Sequence, residues 1–92
     1  MSEPICKEVT VQNEYGFHLV PAGMFVKTAG QFKAKVTVCC RGNGPVPATS
    51  IMALVTIQAD KGSVIKITAE GEDADAAADA LVDLVNSKFG ED

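Results

Sequence analysis

The chain has 92 residues, 47% of them hydrophobic and only 5% aromatic, and carries a formal charge of −4. That length accommodates one domain, residues 1–92, and leaves no room for a second core. The acidic balance supplies no basic stripe for nucleic acid, and every apolar run falls far short of the roughly 20 residues that cross a bilayer.

Residues 5–12 alternate, with Ile5, Val9 and Val11 on one face and Cys6, Glu8, Thr10 and Gln12 on the other, which predicts a half-buried strand. Asn13-Glu14-Tyr15-Gly16 breaks it with turn residues. From Leu19 to about Gln31 the pattern is helical, with Ala22, Val26 and Ala29 on one face. Pro21 sits in the first turn, where its missing donor does little harm, and Gly30 marks a stop. Ala34, Val36, Val38 and Cys40 alternate with Lys35, Thr37 and Cys39 in a second strand. Arg41-Gly42-Asn43-Gly44 is a hairpin signal, and the next strand, near Pro45-Val46-Pro47-Ala48, carries two prolines that confine it to an edge.

Ser50 to about Ala59 reads as a short helix with Ser50 as its N-cap. Residues 63–70 alternate again, with Ile65, Ile67 and Ala69 inward. Asp73 caps a long Ala-rich helix whose buried stripe is Ala77, Leu81, Leu84 and Val85. The order β-α-β-β-α-β-α follows. Each strand has one apolar face, so the expected fold is α+β, an open-faced sandwich. A four-stranded antiparallel sheet is covered on one side by three helices.

Cys6, Cys39 and Cys40 have neither zinc nor redox spacing, and strand alternation separates the adjacent pair. They are expected to be reduced thiols, with no metal and no cofactor. The N-terminus lacks a signal pattern, so a cytoplasmic monomer without membrane insertion is expected.

Two residues carry candidate chemistry. His18, the only histidine, stands at a strand-to-helix junction just before the helix that Pro21 helps to start. The first helical amides have no intrahelical partner and the dipole places partial positive charge there, so an anion is favoured. Imidazoles ordinarily titrate near about 6.5, which leaves much neutral nucleophile near neutral pH. A phosphate on His18 would sit over the amides of Leu19 and Val20. Ser50, at the start of the next helix, is a phosphorylation candidate whose added charge the dipole would favour. Beside it, Ile51, Met52 and Val55 offer more apolar surface than a short helix buries.

Gly16-Phe17-His18-Leu19-Val20-Pro21-Ala22 resembles the phosphohistidine motif of the HPr family, the histidine-containing phosphocarriers of the bacterial sugar phosphotransferase system. Ser50-Ile51-Met52-Ala53-Leu54 resembles that family's regulatory serine segment, and the likeness extends through the Glu70-Gly71-Glu72-Asp73 turn and the last helix. The resemblance implies an open-faced β-sandwich and a stoichiometric carrier rather than an enzyme. It implies that His18 takes a phosphoryl group at Nδ1 from enzyme I, supported by the Leu19 and Val20 amides. Sugar-specific acceptor domains of the pathway would then receive it. It further implies a partner-docking surface of Phe17, Val20, Met24, Ile51, Met52 and Val55. Ser50 would be the target of an HPr kinase/phosphorylase, with a transcription regulator as a further partner.

One position departs from the pattern. The family usually has Ala then Arg between the His and the Pro, where Leu19 and Val20 stand here. An arginine beside the phosphate supplies a charge-assisted contact of about 1.5–3 kcal/mol. Lys27, two helical turns or roughly 10 Å beyond Val20, is a poor substitute. Slowed transfer is therefore expected, and the alternative is an HPr-like regulatory or binding module switched by phosphorylation at Ser50.

Overall fold

The computed structural model describes residues 3–90. Met1, Ser2, Glu91 and Asp92 lie outside the described residues, and with them part of the N-terminal run read for a signal pattern. The elements are β1 (Ile5–Thr10), α1 (Leu19–Ala29), β2 (Lys35–Cys40), β3 (Asn43–Pro47), α2 (Ile51–Thr56), β4 (Val64–Glu70) and α3 (Ala74–Asn86). A single turn, Lys88–Gly90, follows α3. The sheet order is β1-β4-β2-β3, with every neighbouring pair antiparallel. This is the expected open-faced α+β sandwich.

The alternations give the sheet its inner face. Val36, Val38 and Cys40 on β2 and Ile65, Ile67 and Ala69 on β4 are buried. Lys7 has inward parity on β1 and reaches the flank of α3, where its Nζ lies 3.3 Å from Asp79. Both partners are well exposed, so this pair adds little stability. The proline-bearing strand is at an edge as expected, because its ring nitrogens cannot donate to a second neighbour. The β2–β3 turn is narrower than the four-residue signal. Arg41 and Gly42 alone form it, both with positive φ, while Asn43 and Gly44 belong to β3. Cys40 faces the core and Cys39 the open side, and all three cysteines are free thiols.

Other details also differ from the sequence reading. Along α1 the buried residues are Pro21, Ala22, Phe25 and Ala29, so Phe25 rather than the half-buried Val26 carries the inner stripe. Helix α2 ends at Thr56 rather than near Ala59. Gln58 turns left-handed, with φ of 56°, and lets the buried Ile57 and Ala59 face the core from a loop. Asp73 occupies the N-cap of α3 but makes no side-chain capping bond. Its carboxylate instead accepts from the amides of Lys33 at 2.8 Å and Ala34 at 2.7 Å, tying the approach to β2 to the start of α3. The Lys33 hydrogen bond, opposed by partial desolvation and reinforced by Ala34, holds this carboxyl below its ordinary value of 3.8. On α3 itself Ala74, Ala77, Ala78, Leu81 and Val85 are buried, and Leu84 is half-buried against the core.

The chain then folds back. Lys88 and Phe89 both take left-handed backbone, with φ of 59° and 55°, and Phe89 is buried. Non-glycine residues there cost about 1–2 kcal/mol each. Burying a phenylalanine, at about 1.5–3 kcal/mol, together with its ring contacts offsets that strain.

Candidate functional site at the start of the first helix

The segment between β1 and α1 is held by its own backbone chemistry. Asn13 is buried, and its Nδ2 donates to the Gly16 carbonyl at 2.7 Å while the Gly16 amide donates to the Asn13 carbonyl at 3.2 Å. Gly16 has φ of 61°, and a Cβ there would lie 2.1 Å from the Ala59 carbonyl oxygen. Only glycine fits that approach. The same carbonyl accepts the Phe17 amide at 3.1 Å, so the loop after α2 anchors this one. Val11 is tied to the facing loop on both sides, accepting from Gly62 and donating to Ser63, each at 2.8 Å.

Phe17 then enters the core. Its ring meets Phe25 at 5.4 Å and Phe89 edge-on at 5.3 Å, and the residue is 4% exposed. Phe17 therefore offers no surface to a partner, which corrects its expected place among the docking residues. An apolar side chain between a glycine clamp and a helix start is pulled inward, and the next residue is turned outward.

That next residue is His18. It is half-exposed, has extended backbone (φ −79°, ψ −174°), and accepts the Ala22 amide at 3.0 Å as the N-cap of α1. Its side chain does not cap the helix. The amides of Leu19 and Val20 occupy the first turn, Pro21 contributes none, and the positive end of the helix dipole lies there. The Tyr15 ring stands perpendicular to the imidazole, with centroids 6.3 Å apart. Nothing in the alternation around Tyr15 marks it as a neighbour of His18. The sequence cue is an aromatic in an otherwise polar turn.

The surroundings are apolar. Leu19 is 60% exposed, Val20 61% and Met52 63%, with Tyr15 and Ile51 also open to solvent. Ile51 of α2 lies over Gly23 of α1, where a Cβ would approach its Cδ1 to 3.8 Å, so the two helices present one surface. Met24 and Val55 are half-buried against the core beneath it. Ser50 is half-buried, and its Oγ accepts the Ala53 amide at 3.2 Å as the N-cap of α2. Lys27, in the last turn of α1, is about 13 Å along the axis from His18 at 1.5 Å per residue. Among the described residues no group of His, Cys, Asp and Glu is placed to hold a metal ion, and no helix is long and apolar enough to cross a membrane.

An open-faced sandwich with a half-exposed histidine at the N-cap of its first helix and a half-buried serine at the N-cap of its second has the build of a small phosphocarrier domain. The family model for the PTS HPr component phosphorylation site matches residues 5–87, and the chain belongs to that HPr family. Phosphocarrier protein HPr of Pseudomonas aeruginosa is 38% identical over 84 residues, covering 91% of this chain and 93% of that protein. A multiphosphoryl transfer protein of Salmonella typhimurium is also 38% identical over 91% of this chain, which matches only 23% of its length. The crystal structure of an HPr from Thermoanaerobacter tengcongensis superimposes with a TM-score of 0.87 at 38% identity, covering 99% of each chain. The chain is accordingly a phosphocarrier-family protein and not an enzyme.

Proposed function

We propose that His18 is the phosphoryl acceptor, charged by enzyme I from phosphoenolpyruvate and discharged to sugar-specific phosphotransferase domains in the cytoplasm. The Nδ1 lone pair attacks phosphorus, a P–N bond forms, and the bond from phosphorus to the donor breaks with its electron pair leaving on the donor. The backbone amides of Leu19 and Val20 and the dipole of α1 stabilise the charge on the phosphoryl oxygens. The observation that supports this most is the clamp of Asn13, Gly16 and Ala59, which turns the imidazole outward at the helix start. Val20 stands where the family usually has arginine, so transfer is slower than in relatives that carry the cation. Docking uses Val20, Ile51 and Met52 at the surface, with Met24 and Val55 shaping it from below. The carrier acts as a monomer.

The test is incubation with phosphoenolpyruvate and a cognate enzyme I. An acid-labile, base-stable adduct forms on the wild type and is absent from His18→Ala. Equal labelling of both proteins contradicts the assignment.

A second reading is favoured by the exposed apolar surface beside Ser50. The chain then serves as a docking module for an HPr kinase/phosphorylase and a transcription regulator, and phosphorylation of Ser50 switches it by placing charge next to Ile51 and Met52. Labelling of Ser50 by such a kinase, with no transfer through His18, would select this reading over the first.

A further inference from the structure

The end of the chain is shaped in a way that terminating α3 does not require. Ser87 already closes that helix, its amide donating to Asp83 at 2.9 Å and its hydroxyl to Leu84 at 2.8 Å. Lys88, Phe89 and Gly90 nonetheless continue with φ of 59°, 55° and 77°. Two of these residues carry side chains that resist left-handed backbone, so local strain is held there by something else. What it achieves is the burial of Phe89, 3% exposed, with its ring edge-on to Phe17.

Phe17 is covalently adjacent to His18. Its ring meets Phe25 of α1 and Phe89 of the terminal turn, so three segments distant in sequence share one aromatic cluster. The hydrogen bonds to Ala59 and Asn13 fix where the loop backbone lies. The ring packing fixes how that backbone is rotated about its own direction, and hence where the His18 side chain points. Shrinking Phe89 opens space on one side of the Phe17 ring, and closely packed interiors transmit such a change to their neighbours.

We propose that Phe89 is a positioning residue for phosphoryl transfer, setting the orientation of the His18 imidazole through Phe17. The proposal rests on the reading of His18 as the phosphoryl acceptor.

The series Phe89→Leu, Phe89→Val and Phe89→Ala shrinks the ring's replacement in steps. Leu81→Ala opens a cavity in the middle of α3, eight residues before Phe89 and outside the Phe17–Phe25–Phe89 ring contacts, and serves as the control for general destabilisation. Two readouts are taken at a temperature where every variant is folded. One is single-turnover transfer from phosphorylated enzyme I at saturating concentration, and the other is the position of the His18 ring resonances by NMR. Transfer at saturation is expected to fall with side-chain volume, reaching roughly ten- to a hundredfold for the smallest folded variant. The His18 resonances shift in the same order, while Leu81→Ala moves neither readout. A flat series in both readouts overturns the proposal, as does a Leu81→Ala effect equal to that of Phe89→Ala. If the wild type takes no phosphoryl group at all, the acceptor assignment fails, and the His18 resonances alone decide the positioning claim.

Discussion

Replacing Gly16 with alanine tests the clamp that presents His18. The added Cβ would lie 2.1 Å from the Ala59 oxygen and 2.9 Å from the Asp60 Cα, and both atoms are held in place. Ala59 accepts the Phe17 amide, and the Asp60 carbonyl accepts the Ser63 amide at 2.9 Å. The loop must therefore move. Alanine in left-handed backbone costs about 1–2 kcal/mol. Withdrawal from Ala59 surrenders the Phe17 hydrogen bond, at about 1 kcal/mol. The expected loss is about 2–3 kcal/mol, a large share of the roughly 5–15 kcal/mol that stabilises a domain. For a chain of this size that lowers Tm by about 10 °C or more. Urea denaturation measures the first quantity and a thermal scan the second, while transfer to His18 at a permissive temperature should fall alongside them. A loss below about 1 kcal/mol with an unchanged transfer rate would refute the clamp as described.

Three other changes follow from the same geometry. Val20→Arg restores a cation beside His18 and should raise the transfer rate by about tenfold or more, the equivalent of a charge-assisted contact, in a single-turnover assay. Ser50→Ala removes the bond from the Ala53 amide and should destabilise the protein by about 1 kcal/mol in urea, leaving transfer through His18 nearly intact. Asp73 has its carboxyl lowered in the folded state, so its stabilising effect is complete above the ordinary value of 3.8 and is lost as pH falls through the lower folded value. In Asp73→Asn the difference between urea midpoints at neutral pH and below that value should shrink, since an amide does not titrate in this range, and stability at neutral pH should fall because only one amide atom can accept where two carboxylate oxygens now do.

Much of this molecule was legible in the sequence because its strands are half-buried and alternate cleanly. Val36, Val38, Cys40, Ile65, Ile67 and Ala69 all face inward as their spacing requires, and the prolines of β3 identify it as an edge. His18 and Ser50 were legible as helix starts, which are local features. The misses are tertiary. Phe25 and Val26 both stand at helical spacing from Ala22 and Ala29, so the period alone does not choose between them; Phe25 is the one that turns inward, where its ring meets Phe17. Asp73 looks like an N-cap, but the amides of Lys33 and Ala34, remote in sequence, captured its carboxylate. Asn13 and Tyr15 read as turn residues, yet one holds Gly16 and the other flanks the imidazole. The left-handed pair at Lys88 and Phe89 is not marked by its residue types, and it goes with the burial of Phe89 against Phe17.

The central claim is that the clamp at Gly16 and Phe17 presents His18 as the phosphoryl acceptor. Its most direct test is phosphorylation by phosphoenolpyruvate and enzyme I, with the modified residue located by peptide mass analysis under basic conditions that preserve phosphohistidine. A single phosphoryl group on His18, absent from His18→Ala, is the result expected. Phosphoryl transfer that persists in His18→Ala, or a wild type that stays unmodified beside a competent HPr control, would contradict it.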